Sequence, residues 1–227
     1  ACMAHTLASI MEYLPTVSDE KRIAVNRRNG VTGEQFGVPM GPLRALAKQI
    51  KRDHALGMTL WRTGNFDAMV LGVMIMDPKV LTEADFEALL SAAYAPIMVD
   101  ELTLRLLCES PLAEQFCVAW RQSPEDLRGR AGWNLAVDRV QRGICSPDEL
   151  TVLFSEVESG LQAAPAGKQW AMNHCLCMIG IHHDDWTDQC LALGERLGVY
   201  RDMKVPKGCT SAFAPEWIRV GRAKRGG

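Results

Sequence analysis

The spacing of the apolar residues constrains this chain more than any other feature. Leu43, Leu46, Ala47 and Ile50 fall at i, i+3, i+4 and i+7, the pattern of one buried helical face. Similar spacing recurs along nearly the whole chain. No stretch alternates apolar and polar residues as a half-buried strand does. Helices are expected over 6–14, from the Ser18-Asp19-Glu20-Lys21 cap to Asn29-Gly30, and over 42–52, 54–62, 66–76, 83–93, 96–108 and 112–121. Others are expected over 124–142, 147–159, 167–181, 185–197 and 214–224. Thr82, Ser123 and Ser146 each stand where a helix N-cap belongs, with acidic residues following. Connections this short make consecutive helices antiparallel neighbours. The expectation is an all-α fold, an α-solenoid of antiparallel helix pairs. At 227 residues it reads as a single domain over 1–227. Leu60-Trp61-Arg62 and Ala119-Trp120-Arg121 look alike, but no strict repeat period follows.

Composition narrows the class of function. Hydrophobic residues make up 48% and charged residues 23%, as in ordinary globular proteins. The longest apolar run, residues 68–76, is far short of the ~20 residues a membrane span requires. The first residues lack the basic segment of a signal peptide, so a cytoplasmic protein with no membrane partner is expected. The eight cysteines are expected to be reduced. Cys175 and Cys177 share a helix but point apart, and Cys108, Cys117 and Cys190 sit among apolar residues, as buried thiols do.

The net charge of −2 hides strong segregation. Residues 20–52 carry 8 basic and 2 acidic side chains, whereas 53–120 carry 3 and 10. Residues 121–143 carry 5 and 3, 144–200 carry 2 and 8, and 201–227 carry 7 and 2. Basic blocks separated by acidic ones can converge on one nucleic-acid-binding face, or can simply decorate solvated helices. Over 124–142, Arg130, Asn134 and Asp138 recur every four residues as a polar stripe. Trp170 and His174 lie one turn apart on another helix. Pro96 suits the first turn of its helix, which places Asp100 near the positive end of the dipole.

These pieces, taken in order, resemble the AlkD-type DNA alkylation repair proteins, which are built of HEAT-like helical repeats. The resemblance runs from about Phe36 to Leu197 and opens with Gly37-Val38-Pro39-Met40-Gly41-Pro42-Leu43-Arg44. It continues through Leu60-Trp61-Arg62-Thr63-Gly64-Asn65-Phe66-Asp67 and Met76-Asp77-Pro78. Val99-Asp100, Arg130-Ala131-Gly132-Trp133 and Ala171-Met172-Asn173-His174 then follow in the family's order.

The resemblance implies a C-shaped solenoid that grips double-stranded DNA, alkylated or branched, as a monomer and without a cofactor or metal. Active members hydrolyse the N-glycosidic bond of N3- or N7-alkylated purines without drawing the base into a pocket. A carboxylate stabilises positive charge developing on the deoxyribose, aromatic faces add cation–π stabilisation, and an arginine holds the adjacent phosphate. Residue by residue, Asp100 matches the catalytic carboxylate and Arg130 the DNA-contacting arginine. Arg128, Asn134, Lys48 and Arg52 are the further DNA-binding candidates. The chain departs from the pattern at two aromatic positions, where Pro96 and His174 replace tryptophans. Asp67 and Met69 stand where a Glu and an Arg are usual. Tyr94 and Trp170 are the nearby aromatic substitutes. Some relatives altered in this way bind DNA without excising bases, so an enzyme and a non-catalytic binder both fit.

Two other classes remain. A helical scaffold for protein partners suits the modest net charge. A metal site could draw on His174-Cys175-Leu176-Cys177 and His182-His183-Asp184-Asp185, but these lack the spacing of a CxxC pair or an HExxH helix. Residues 205–215 read as a loop with no assigned task.

Overall fold

The computed structural model describes residues 4–226, and among them there are thirteen α-helices and no β-strand. They are α1 (Leu7–Tyr13), α2 (Glu20–Arg28), α3 (Met40–Ile50), α4 (His54–Arg62), α5 (Phe66–Ile75), α6 (Glu83–Ala92) and α7 (Pro96–Arg105). Then come α8 (Ala113–Arg121), α9 (Asp126–Gln141), α10 (Pro147–Gly160), α11 (Ala166–His182), α12 (Thr187–Leu197) and α13 (Ala214–Arg225). Among the described residues no helix is long and apolar enough to cross a membrane. The residues fall into two compact units, one running to Ala113 and the other from Glu114.

Capping explains where most helices begin. Thr82 and Asp85 form a reciprocal capping box at α6, and Ser146 accepts the Glu149 amide at α10. Several boundaries differ from the sequence reading. Helix α3 starts at Met40, with extended Pro39 as its N-cap, because Pro42 is tolerated in the first turn, where N–H groups have no intrahelical partner. At α9, Ser123 accepts the Glu125 amide in a turn instead of capping, so the helix starts at Asp126 and Pro124 stays outside. Leu106 leaves the helical region at φ −122°, which ends α7 and puts Leu107–Glu109 in a 3₁₀ turn. Asp184–Trp186 likewise forms a 3₁₀ turn before α12. Cys108 is half-buried, whereas Cys117 and Cys190 are buried as expected.

In the first unit, α5 is the hub, and nine of its ten residues are buried, as a helix apolar on every side must be. Helix α4 runs antiparallel to it, with the Asp53 amide before α4 bonded to the Ile75 carbonyl at the end of α5. The two backbones touch at Gly57 and Gly72, where a Cβ on Gly72 would lie 2.5 Å from the Gly57 carbonyl oxygen. Helices α3 and α7 cover the remaining sides of α5.

In the second unit, α11 is the hub and packs on α9, α10, α12 and α13. Helices α9 and α11 are parallel. Asp126 at the start of α9 accepts the Lys168 amide at the start of α11 (2.7 Å), and Gln141 at the end of α9 reaches the Met178 sulfur (3.3 Å). Helix α10 connects them in the reverse direction, tied to α9 by Arg139–Glu149 and to α11 by the Gln169 side-chain amide on the Leu161 carbonyl. Helix α10 is therefore antiparallel to both α9 and α11, as in stacked helix pairs.

Candidate nucleic-acid interface

The candidate residues of the first unit lie around α3, α5 and α7. Pro96 occupies the first turn of α7 and Asp100 follows one turn later, half-buried between the buried Val99 and Leu102. Tyr94, in the turn before α7, is 41% exposed, and its hydroxyl accepts the Gly33 amide at 3.0 Å. Tyr94 thus holds a loop. Lys48 is exposed on α3. Arg52 is exposed as well, but its guanidinium donates to the Met76 carbonyl and so closes the end of α5.

Asp67 has a clear structural task. It is fully buried in α5, and its carboxylate accepts the amides of Phe36 (2.5 Å), Gly37 (3.2 Å) and Val38 (2.8 Å). Three consecutive N–H groups converging on one carboxylate satisfy a charge that would otherwise be very unfavourable in the core. This bond set fixes the Gly37-Val38-Pro39 segment that leads into α3.

The second unit brings several candidates together. Arg130, in the second turn of α9, donates to the Gly167 carbonyl at the start of α11 (3.1 Å). Trp170 and His174 lie on the next two turns of α11, both half-buried. Trp217 of α13 stacks on His174, with ring centres 5.0 Å apart and planes 19° apart. It also approaches Trp170 at 6.4 Å. Tyr200 meets Trp170 with ring centres 5.4 Å apart. Burial pushes the Tyr200 phenol up, and the charge of Arg130 partly opposes that shift. Four aromatic rings therefore gather on α11 with Arg130 beside them.

Trp217 and Tyr200 were not singled out by the sequence reading. Trp217 lies 43 positions after His174, so no local spacing signals the pair. The Trp217 ring that covers His174 comes from the last helix.

Other candidates are partly engaged in structure. Arg128 lies over the Trp120 ring at 5.7 Å and reaches Glu125 at 3.5 Å. Asn134 follows Arg130 by one turn and is half-buried. Several of the C-terminal cations serve the fold. Arg222 and Arg225 donate to the Ile181 carbonyl at the end of α11, where the dipole favours positive charge. Arg222 also pairs with Asp184 at 2.8 Å and holds that carboxylate below its usual range. Cys175 and Cys177 of α11 are buried, and burial pushes both thiols well up. Among the described residues no group of three or more His, Cys, Asp or Glu could hold a metal ion.

The whole chain has solved and curated counterparts. A structure described as a new family of proteins related to the HEAT-like repeat DNA glycosylases, with affinity for branched DNA structures, superposes with a TM-score of 0.86. That match covers 98% of this chain and 95% of the other at 24% identity, and it shows that the fold is shared. Uncharacterized proteins of Listeria innocua and Listeria monocytogenes are each 22% identical over 212 residues, covering 90% of this chain and 91% of theirs. The description of the DNA alkylation repair enzymes matches residues 10–211, nearly the entire length, and the chain belongs to that family.

Proposed function

We propose that this protein binds DNA, duplex or branched, as a member of the alkylation repair family. The observation that carries the reading is the placement of Arg130 at the rim of the aromatic group on α11, which offers a cation for a phosphate beside π surface for a sugar or base. The solved relative's affinity for branched DNA supports the same reading. Arg130→Ala should weaken DNA binding by roughly 1–2 kcal/mol, the contribution of one charge-assisted contact. Unchanged affinity at low salt would remove Arg130 from the interface.

A second reading, excision of N3- or N7-alkylated purines, rests on Asp100. It is half-exposed in α7 and can present a carboxylate to a sugar that is gaining positive charge. Asp100→Asn keeps the shape and removes the charge, so it should abolish excision and spare DNA binding. Single-turnover release of 7-methylguanine from methylated DNA is the assay. A wild-type protein that binds such DNA and releases nothing is a binder only.

A further inference from the structure

The loop between α12 and α13 is the least consolidated part of the second unit, yet both its ends are pinned beside the aromatic rings. All ten residues from 201 to 210 are exposed. At its start, Tyr200 takes a left-handed backbone, φ +64°, although it is not glycine, while its ring rests on Trp170. A bulky residue in that region is strained, and the surrounding contacts must hold it in place. Arg201 follows, bonded to Glu195 and lying 5.1 Å over the Phe213 ring. At the far end the Ala212 carbonyl accepts from the buried Asn173 side chain, 2.8 Å away, on the same α11 that carries Trp170 and His174. The anchors leave the middle of the loop projecting into solvent. Lys204 and Lys207 lie there, and their ammonium groups make no hydrogen bond or ion pair with the described residues. The one acid within 201–210 is Asp202.

Bases paired within a duplex already stack on their neighbours and keep their faces from a protein ring. An unpaired nucleotide offers both a free π face and a phosphate. Aromatic rings flanked by exposed cations are the chemistry that single strands take up. We propose that the Trp170, His174, Tyr200 and Trp217 rings and the Lys204–Lys207 loop together bind an unpaired DNA strand, the rings stacking its bases and the lysines holding its phosphates. The site lies within the second unit and is additional to the Arg130 contact. The inference rests on the DNA-binding reading above and assigns it a strand class.

The test compares a blunt duplex with the same duplex carrying a single-stranded tail, by fluorescence anisotropy across a salt series. Wild-type protein should prefer the tailed probe. Lys204→Gln/Lys207→Gln alters only exposed positions. It should leave blunt-duplex affinity within twofold, remove most of the preference, and lower the salt slope for the tailed probe alone by about 0.7 per lost contact. Trp217→Ala should reduce tailed binding about tenfold, within the range of one base–aromatic stack, and Trp217→Phe should restore most of it. Equal binding of the two probes by wild type, or equal losses on both probes in the lysine variant, would overturn the proposal and leave DNA binding intact. Failure of wild type to bind either probe would instead defeat the DNA-binding reading itself.

Discussion

The strongest structural consequence of a single carboxylate concerns Asp67. Replacing it by Asn keeps the volume, removes the charge and turns one acceptor oxygen into a donor. In the native protein one oxygen serves Phe36 and Gly37 and the other serves Val38. The best arrangement for Asn keeps its oxygen toward Phe36 and Gly37, leaving the Val38 amide facing an NH₂ group. Val38 is 3% exposed, so that amide has no ready access to water. A hydrogen bond to a charged group contributes about 1.5–3 kcal/mol, and the two surviving bonds lose their charge assistance. The loop from Phe36 to Val38 should therefore open more easily by roughly 2–4 kcal/mol. At 1.36 kcal/mol per tenfold, native-state amide exchange at Gly37 and Val38 should accelerate by about 30-fold or more. Exchange within α11 should be unchanged. Acceleration of less than about threefold would show that the carboxylate is not what holds this loop, and the same variant should leave any alkylpurine chemistry at Asp100 assayable.

Two further outcomes can be measured. Arg121 is only 8% exposed and pairs with Glu156 at 2.9 Å. Burial works against its charge, but Glu156 and the Cys117 sulfur together outweigh it and hold the guanidinium above its usual range. Glu156→Ala leaves that buried cation unpaired and should destabilise the second unit by about 3 kcal/mol in urea unfolding; a loss under about 1 kcal/mol would refute the pairing as a stabilising contact. The His182 imidazole is lowered from its ordinary value of 6.5 by burial first, then by Arg225 and His183. The unfolded chain takes up the proton more readily, so stability is full above about 6.5 and declines as pH falls toward the lowered native value. His182→Gln should flatten the pH dependence of the thermal midpoint in that window, and an identical profile in both proteins would contradict the assignment.

Much of the fold is legible in local chemistry. Helix type and order follow from spacing and caps, because each depends on residues three or four apart. The span 54–62 is recovered to the residue, and Thr82 and Ser146 cap as expected. Pro96 at the start of α7 is equally local. The boundaries that failed did so for nonlocal or competing reasons. The Asp126 side chain is taken by the start of α11, 42 positions away, and Ser123 closes a turn of its own.

The candidate site divides along the same line. Arg130, Trp170 and His174 were visible because a polar stripe and a one-turn spacing are properties of a single helix. Their environment was not. Trp217 and Tyr200 come from segments far along the chain, and only the packing of α13 and the turn after α12 against α11 brings their rings there. Charge behaves likewise. The sequence alone establishes how many cations the C-terminal block holds. Tertiary structure decides that Arg222 and Arg225 cap α11 while Lys204 and Lys207 remain in solvent, because a cation's availability depends on whether a carbonyl or carboxylate lies within reach.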